Sequence, residues 1–386
     1  MIKDSQAQQL FRLPCGSLHH LMRLQAASLR RANFVMLGDE AHVWMGRWQP
    51  CRRLTNTGFS SAPPCPGSAA THAIRPQHTM NYASSITDLI GNTPLLALDR
   101  MRPGGGARVF GKCEFMNPIA IKDRPVFHMI REAEGRGEIE PGATLIEATS
   151  GNTGMALAYI GRMRGYRVVL CMSEIQSAER RLTLKALGAE VHLTPAALGT
   201  KAAKAKAVEL HAATPGSFYV GQHDNLDNRR AHVETTGPEI WRDTEGLIDV
   251  FVAPLGTGGT LGGVSEAIKP LKPALRVVGV EPEEAPFISE GRFAPHRMMG
   301  TAPGFVPGVL DRSLIDDIHL VSEADAFRTC REMARKEGVL VGISSGASVC
   351  VALRLAREPR HAGHVIVCIL CDSGERYLSV DGLFRE

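Results

Sequence analysis

Twice along the chain an apolar run ends in a short loop of glycines and hydroxyl side chains, and the loop gives way to a helical pattern. In the first case Thr144-Leu145-Ile146-Glu147-Ala148 leads into Thr149-Ser150-Gly151-Asn152-Thr153-Gly154 and on to Met155-Ala156-Leu157-Ala158-Tyr159-Ile160. In the second, Val250-Phe251-Val252-Ala253 leads through Gly256-Thr257-Gly258-Gly259-Thr260 into a helical pattern over 261–268. A strand that opens through glycines into a helix makes an anion cradle. Without Cβ atoms the backbone turns tightly and approaches a ligand, and its N–H groups converge at the positive end of the helix dipole. Further apolar runs at 168–170, 277–280 and 365–367 alternate with helical patterns at 202–211 and 324–336. Such alternation predicts an α/β chain with twisted, mostly parallel sheets covered by helices.

The two loops differ in chemistry. The second has no Gly-Lys-Ser/Thr ending, so a phosphate on a group smaller than a nucleoside triphosphate fits it better, with a plain turn as the alternative. The first is lined by Thr149, Ser150, Asn152 and Thr153, whose hydroxyl and amide groups at a helix N-terminus suit a carboxylate. Helix capping would need one such residue, not four. Upstream lies Lys122, in Asn117-Pro118-Ile119-Ala120-Ile121-Lys122-Asp123-Arg124. By itself it reads as a solvated surface lysine. Beside a phosphate cradle and a carboxylate loop it reads as a Schiff-base lysine.

Seven stretches then line up in order. Ile90-Gly91-Asn92-Thr93-Pro94-Leu95, the two loops, Ser177-Ala178-Glu179-Arg180-Arg181, Thr235-Thr236-Gly237-Pro238-Glu239-Ile240-Trp241, Gly342-Ile343-Ser344-Ser345-Gly346-Ala347 and Ser373-Gly374-Glu375-Arg376-Tyr377-Leu378 all contribute. On these, the chain from about Ser84 to Ser379 resembles the cysteine synthase family of fold type II pyridoxal phosphate enzymes. One stretch departs from the family pattern. Ala120 stands where the family has a Ser, and the segment from Asn117 to Lys122 is one residue shorter than usual. A lost residue is either absorbed locally or turns the start of the Lys122 helix by about 100°. With the other motifs intact, absorption is expected.

The resemblance implies that Lys122 carries the cofactor and later moves protons, and that Asn152 hydrogen-bonds the cofactor's 3′-oxygen. Gly256, Thr257, Gly258, Gly259 and Thr260 would hold its phosphate. Ser344 would meet the pyridine nitrogen, and its neutral hydroxyl suits β-elimination, where the leaving group takes the electrons away. Thr149, Ser150, Thr153 and Gln222 would hold the substrate carboxylate. The implied reaction is β-replacement, O-acetyl-L-serine and sulfide giving L-cysteine and acetate by way of an aminoacrylate. Cystathionine β-synthase-like chemistry, with serine and homocysteine, or another donor or nucleophile is the alternative. Gly300-Thr301-Ala302-Pro303-Gly304-Phe305-Val306-Pro307 resembles the cysteine synthase mouth loop and favours sulfide. A reading from another class is a catalytically weak binding protein that engages serine acetyltransferase. The family further implies a homodimer and two α/β domains. The smaller, mobile one with the substrate loop is expected over 121–224, and the larger one with the phosphate loop over 80–120 and 225–386.

Composition bounds the rest. At 386 residues, 44% hydrophobic and 22% charged, the chain is ordinary for an enzyme with more than one core, and it has no membrane-length apolar run. Residues 1–79 hold nine Lys and Arg against three Asp and Glu, a net of +6, so with the whole chain at +4 the remainder is −2. That stretch reads as an N-terminal extension without a fold, with an organelle transit peptide as the alternative. Its Cys15, His19, His20, Cys51, Cys65 and His72 match no tight metal or haem spacing, and no metal is expected. Nine cysteines suggest a reducing compartment, hence the cytoplasm. Cys368 and Cys371 have redox spacing but lie on a strand-like run, where they would face opposite sides as buried thiols. No aromatic-basic stripe suggests a nucleic acid partner.

Overall fold

The computed structural model describes residues 82–102, 104–174, 176 and 178–384. The extension expected over 1–79 lies outside them, as does Ser177. Ten strands occur among the described residues: β1 Leu95–Ala97, β2 Arg108–Lys112, β3 Thr144–Ala148, β4 Arg167–Ser173, β5 Glu190–Thr194, β6 Phe218–Tyr219, β7 Ile248–Pro254, β8 Arg276–Pro282, β9 Asp317–Val321 and β10 Val365–Ile369. They form two sheets. One runs β5-β4-β3-β6 and is parallel throughout. The other runs β1-β2-β10-β7-β8-β9, parallel except where β1 pairs antiparallel with β2.

Strands buried on both faces need apolar residues at every position, not at alternate ones. All five residues of β10 are buried, and in β4 only Arg167 is exposed. The side-chain period of two then splits each strand between two cores. Val250 and Val252 of β7 join Ile366 and Cys368 of β10 on one face, while Phe251 and Ala253 join Val365, Val367 and Ile369 on the other.

Four helices position the cleft: α1 Asp123–Gly135, α2 Asn152–Met163, α3 Gly259–Ile268 and α4 Ile343–Ala356. Val126, Met129 and Ile130 of α1 and Leu157 and Ile160 of α2 pack on Leu145, Val168 and Leu170 of the four-stranded sheet. Its opposite face is covered by Ala203 and Ala207 of the helix Gly199–Ala213. On the six-stranded sheet α4 covers the face with Val250 and Cys368, and Val264 and Ile268 of α3 cover the other. The helical pattern at 324–336 divides into an α-helix, Glu323–Glu332, and a π-helical turn, Met333–Glu337.

Cys368 of β10 and Cys371, two residues past the strand's end, enter opposite cores. Both are free thiols, as are the other four cysteines among the described residues.

Candidate functional site

The carboxyl ends of β3 and β7 open into one cleft of about 850 Å³. Eleven of the twelve residues singled out in the sequence line it: Lys122, Thr149, Ser150, Asn152, Thr153, Gln222, Gly256, Thr257, Gly258, Thr260 and Ser344. The exception is Gly259. It turns its α-carbon toward Asn228, where a Cβ would collide with the side-chain oxygen.

The glycine loop is shaped by close backbone approach. Gly258, at the N-cap of α3, has φ of 82°, a left-handed conformation that favours glycine. A Cβ on Gly256 would run into the Gly300 carbonyl oxygen. The hydroxyls are held in place too. Asn228 Nδ2 donates to Thr257 Oγ1 at 3.1 Å, and Thr260 Oγ1 lies 3.1 Å from His232 Nε2. His232 is fully buried, and burial with the nearby Lys122 and Arg124 charges keeps its pKa well below the ordinary value. The result is a cradle of backbone N–H groups and two fixed hydroxyls at the start of a helix, which fits a phosphate.

On the opposite wall Thr153 Oγ1 donates to Gln222 Oε1 at 2.7 Å. Beneath both runs a buried carboxylate. Glu147 of β3 accepts from the Ala148 N–H at 2.9 Å and the Gln222 N–H at 3.1 Å. Burial pushes its pKa up to about 7, against the pull of those N–H groups and of Lys204.

Lys122 occupies the N-cap position of α1, with φ −72° and ψ −12°. Burial lowers its pKa from the ordinary 10.5, an effect that Cys371 and Asp372 oppose. A lysine so placed is a better base and nucleophile than one in water. The shortened segment therefore leaves Lys122 on the cleft wall. Buried Arg124, two residues on, pins the start of the helix: it bonds Glu114 at 2.7 Å and Glu239 at 2.7 Å, while Lys112 pairs with Glu239 at 2.7 Å. Burial alone would raise Glu239, yet Arg124 and Lys112 hold it at about 2.

Sequence reasoning passed over Asp372. Its Oδ2 accepts from Asn152 Nδ2 at 2.7 Å and from the Tyr377 hydroxyl at 2.5 Å, and its Oδ1 is buried without a partner. Burial raises its pKa, against those two donors. The signal was its position directly before the Ser373–Leu378 stretch. His223 also lines the cleft, edge-on to Phe305 at 5.0 Å, and is held at about 4 by burial, Lys204 and Lys122. Away from the cleft, His128, Glu132 and Asp227 come together, but Arg131 and Arg136 already bond them.

A phosphate cradle, an amine of lowered basicity and the Asn152 and Ser344 polar groups form a donor set that fits pyridoxal phosphate, with the Thr149–Thr153 loop beside it for a carboxylate. Comparison with known proteins agrees. The pyridoxal-phosphate dependent enzyme family matches residues 86–372. Cysteine synthase A of Escherichia coli strain K12 is 45% identical over 307 residues, 77% of this chain and 94% of that protein. Among solved structures, O-ureido-L-serine synthase superposes with a TM-score of 0.75 at 43% identity, over 78% of this chain and 95% of that one. O-acetyl serine sulfhydrylase isoform 3 of Entamoeba histolytica gives 0.75 at 37% identity, over 80% and 93%. The chain therefore belongs to the cysteine synthase family of fold type II, pyridoxal phosphate-dependent enzymes.

Proposed function

We propose that the chain makes L-cysteine and acetate from O-acetyl-L-serine and sulfide by β-replacement. The observation that carries this reading is the convergence of Lys122, the Thr149–Thr153 loop and the Gly256–Thr260 loop on one cleft. Bound pyridoxal phosphate supplies an electron sink next to the substrate's α-carbon. Gly256, Thr257, Gly258, Gly259 and Thr260 hold its phosphate, Asn152 its 3′-oxygen and Ser344 its ring nitrogen. Thr149, Ser150, Thr153 and Gln222 bind the substrate carboxylate, which places Cα over Lys122. The Lys122 amine, its pKa lowered by burial, takes the α-proton, and acetate departs from Cβ with the bonding electrons. Sulfide adds at Cβ, and Lys122 returns the proton to Cα.

Closure of the carboxylate loop would keep water from the reacting carbon. The segregation of β3 to β6 in their own sheet supports a smaller unit over 121–224 that moves against a larger one over 80–120 and 225–386. A homodimer, engagement of serine acetyltransferase at the cleft mouth and a cytoplasmic location complete the reading. No helix among the described residues is long and apolar enough to cross a membrane.

The test is product analysis with purified chain supplied with pyridoxal phosphate. Cysteine from O-acetylserine and sulfide, with no cystathionine from serine and homocysteine, supports the reading. The reverse pattern transfers it to cystathionine chemistry. A loaded chain that turns over neither pair but binds a serine acetyltransferase C-terminal peptide becomes a binding protein.

A further inference from the structure

We propose that Asp123 and Arg376 are positioning residues for Lys122, clamping the Ile119 backbone from opposite sides so that a turn one residue short still delivers the amine to the cleft. The proposal rests on the reading of Lys122 as the cofactor-bearing lysine.

The turn has no regular structure of its own, so each of its backbone groups needs a partner from elsewhere. The Ile119 N–H donates to Asp123 Oδ2 at 2.7 Å, and the Ala120 N–H donates to the same oxygen at 3.2 Å. From the other side Arg376 Nη2 donates to the Ile119 carbonyl at 2.7 Å. The Ile121 N–H then donates to the Cys371 carbonyl at 3.0 Å, and the Asp123 N–H closes onto the Ala120 carbonyl at 3.0 Å. Three successive N–H groups and two carbonyls before Lys122 are thereby fixed, two of the N–H groups by one carboxylate.

The clamp is anchored at both ends. Asp123 is wholly buried as the first residue of α1, whereas Arg376 and Cys371 belong to the segment that follows β10. The turn is thus tied to its own helix and to the end of the six-stranded sheet. Charge-assisted bonds to buried backbone groups are among the stronger hydrogen bonds. The Tyr159 hydroxyl of α2 and the Arg376 guanidinium both act on the buried Asp123 carboxyl, so the group that holds the turn is itself tied to α2 and to the segment after β10. A lysine at the edge of a helix is displaced by small rotations of the preceding residues, and misplacement by about 1 Å can cost as much as ~100-fold in rate.

The experiment separates capture of the cofactor by Lys122 from binding of its phosphate. Asp123→Ala, Asp123→Asn, Arg376→Met, Arg376→Lys, the double variant Asp123→Ala/Arg376→Met and Lys122→Ala are prepared free of cofactor. Each is titrated with pyridoxamine phosphate, which has no aldehyde, and each is incubated with pyridoxal phosphate, reduced with borohydride and mapped by peptide mass. The expected result is unchanged pyridoxamine phosphate affinity with capture at Lys122 slowed roughly tenfold or more in Asp123→Ala and Arg376→Met. Asn and Lys at these positions keep one acceptor or one donor and should restore much of the rate. The double variant should be little slower than either single one, because both act on the same backbone segment. Unchanged capture in the two single variants overturns the proposal. So does parallel loss of pyridoxamine phosphate binding and thermal stability in every variant, conservative ones included, which would make the role merely structural. Cofactor trapped on another lysine in Lys122→Ala would sink the reading of Lys122 itself.

Discussion

The Thr153 hydroxyl donates to the Gln222 side-chain oxygen at 2.7 Å, which joins the start of α2 to the segment after β6 across the floor of the cleft. Both are buried, so removing one leaves the other with an unmet polar group. That costs about 1–3 kcal/mol. Thr153→Val should therefore raise the KM for O-acetylserine roughly tenfold while the cofactor spectrum stays unchanged. Steady-state kinetics with the donor varied at saturating sulfide check this.

Glu147 supports the same pair from below, and its titration gives a signed prediction. Its pKa is raised from the ordinary 4.5 to about 7 in the folded chain, so the folded state binds more protons than the unfolded one across that window. Stability contributed by the protonated carboxyl is fully present below 4.5 and is lost as the pH rises through about 7. Asp123, raised from 3.8 to about 7, adds to the same slope. Urea unfolding of the cofactor-free chain should show stability declining from mildly acidic to mildly alkaline pH, and Glu147→Gln should flatten the decline. A steeper decline in the variant would refute the assignment.

The glycine loop predicts loss of cofactor affinity without loss of fold. In Gly258→Ala a side chain is forced into a left-handed conformation, which costs about 1–2 kcal/mol, and its Cβ meets Leu310 at 2.6 Å. Gly256→Ala drives a Cβ onto the Gly300 carbonyl oxygen. Both variants should bind pyridoxal phosphate at least about tenfold more weakly, with circular dichroism unchanged. Equilibrium dialysis reads the affinity. Affinity equal to that of the unsubstituted chain would mean that the phosphate lies elsewhere.

Arg124 predicts an effect on stability. Arg124→Met strips the cation from buried Glu114 and leaves buried Glu239 with Lys112 alone, and removing one member of a buried ion pair costs about 3–5 kcal/mol. Thermal unfolding should fall accordingly. Adding Glu114→Gln should recover part of the loss, while Glu239 keeps its pairing with Lys112.

Much of the site was legible because its chemistry is local in sequence. A strand, a small-residue loop and a helix fall within about a dozen residues at both Thr144–Met155 and Val250–Leu261, and both loops open onto the cleft. Lys122 was legible only in their company. Asp372 was not, since its importance lies in Asn152 and Tyr377, one of them 220 positions away, and no spacing rule connects them. Gly259 has its phosphate role from the resemblance alone. The left-handed turn at Gly258 directs its α-carbon toward Asn228, which no spacing in the sequence announces. The two-residue β6 and the antiparallel β1 are too short to carry periodicity, so only pairing with β3 and β2 defines them.

The network of Arg124, Lys112, Glu114 and Glu239 has a consequence for how such a chain can change over time. Ionised groups sealed from water compensate one another, and any lone neutralisation leaves an orphan charge in a medium that cannot solvate it. Substitution there must proceed by paired exchange, through an intermediate sequence that is less stable than either end. The mouth of the cleft carries no such debt, so new acceptors can be tried at the rim while the lysine's mounting stays fixed.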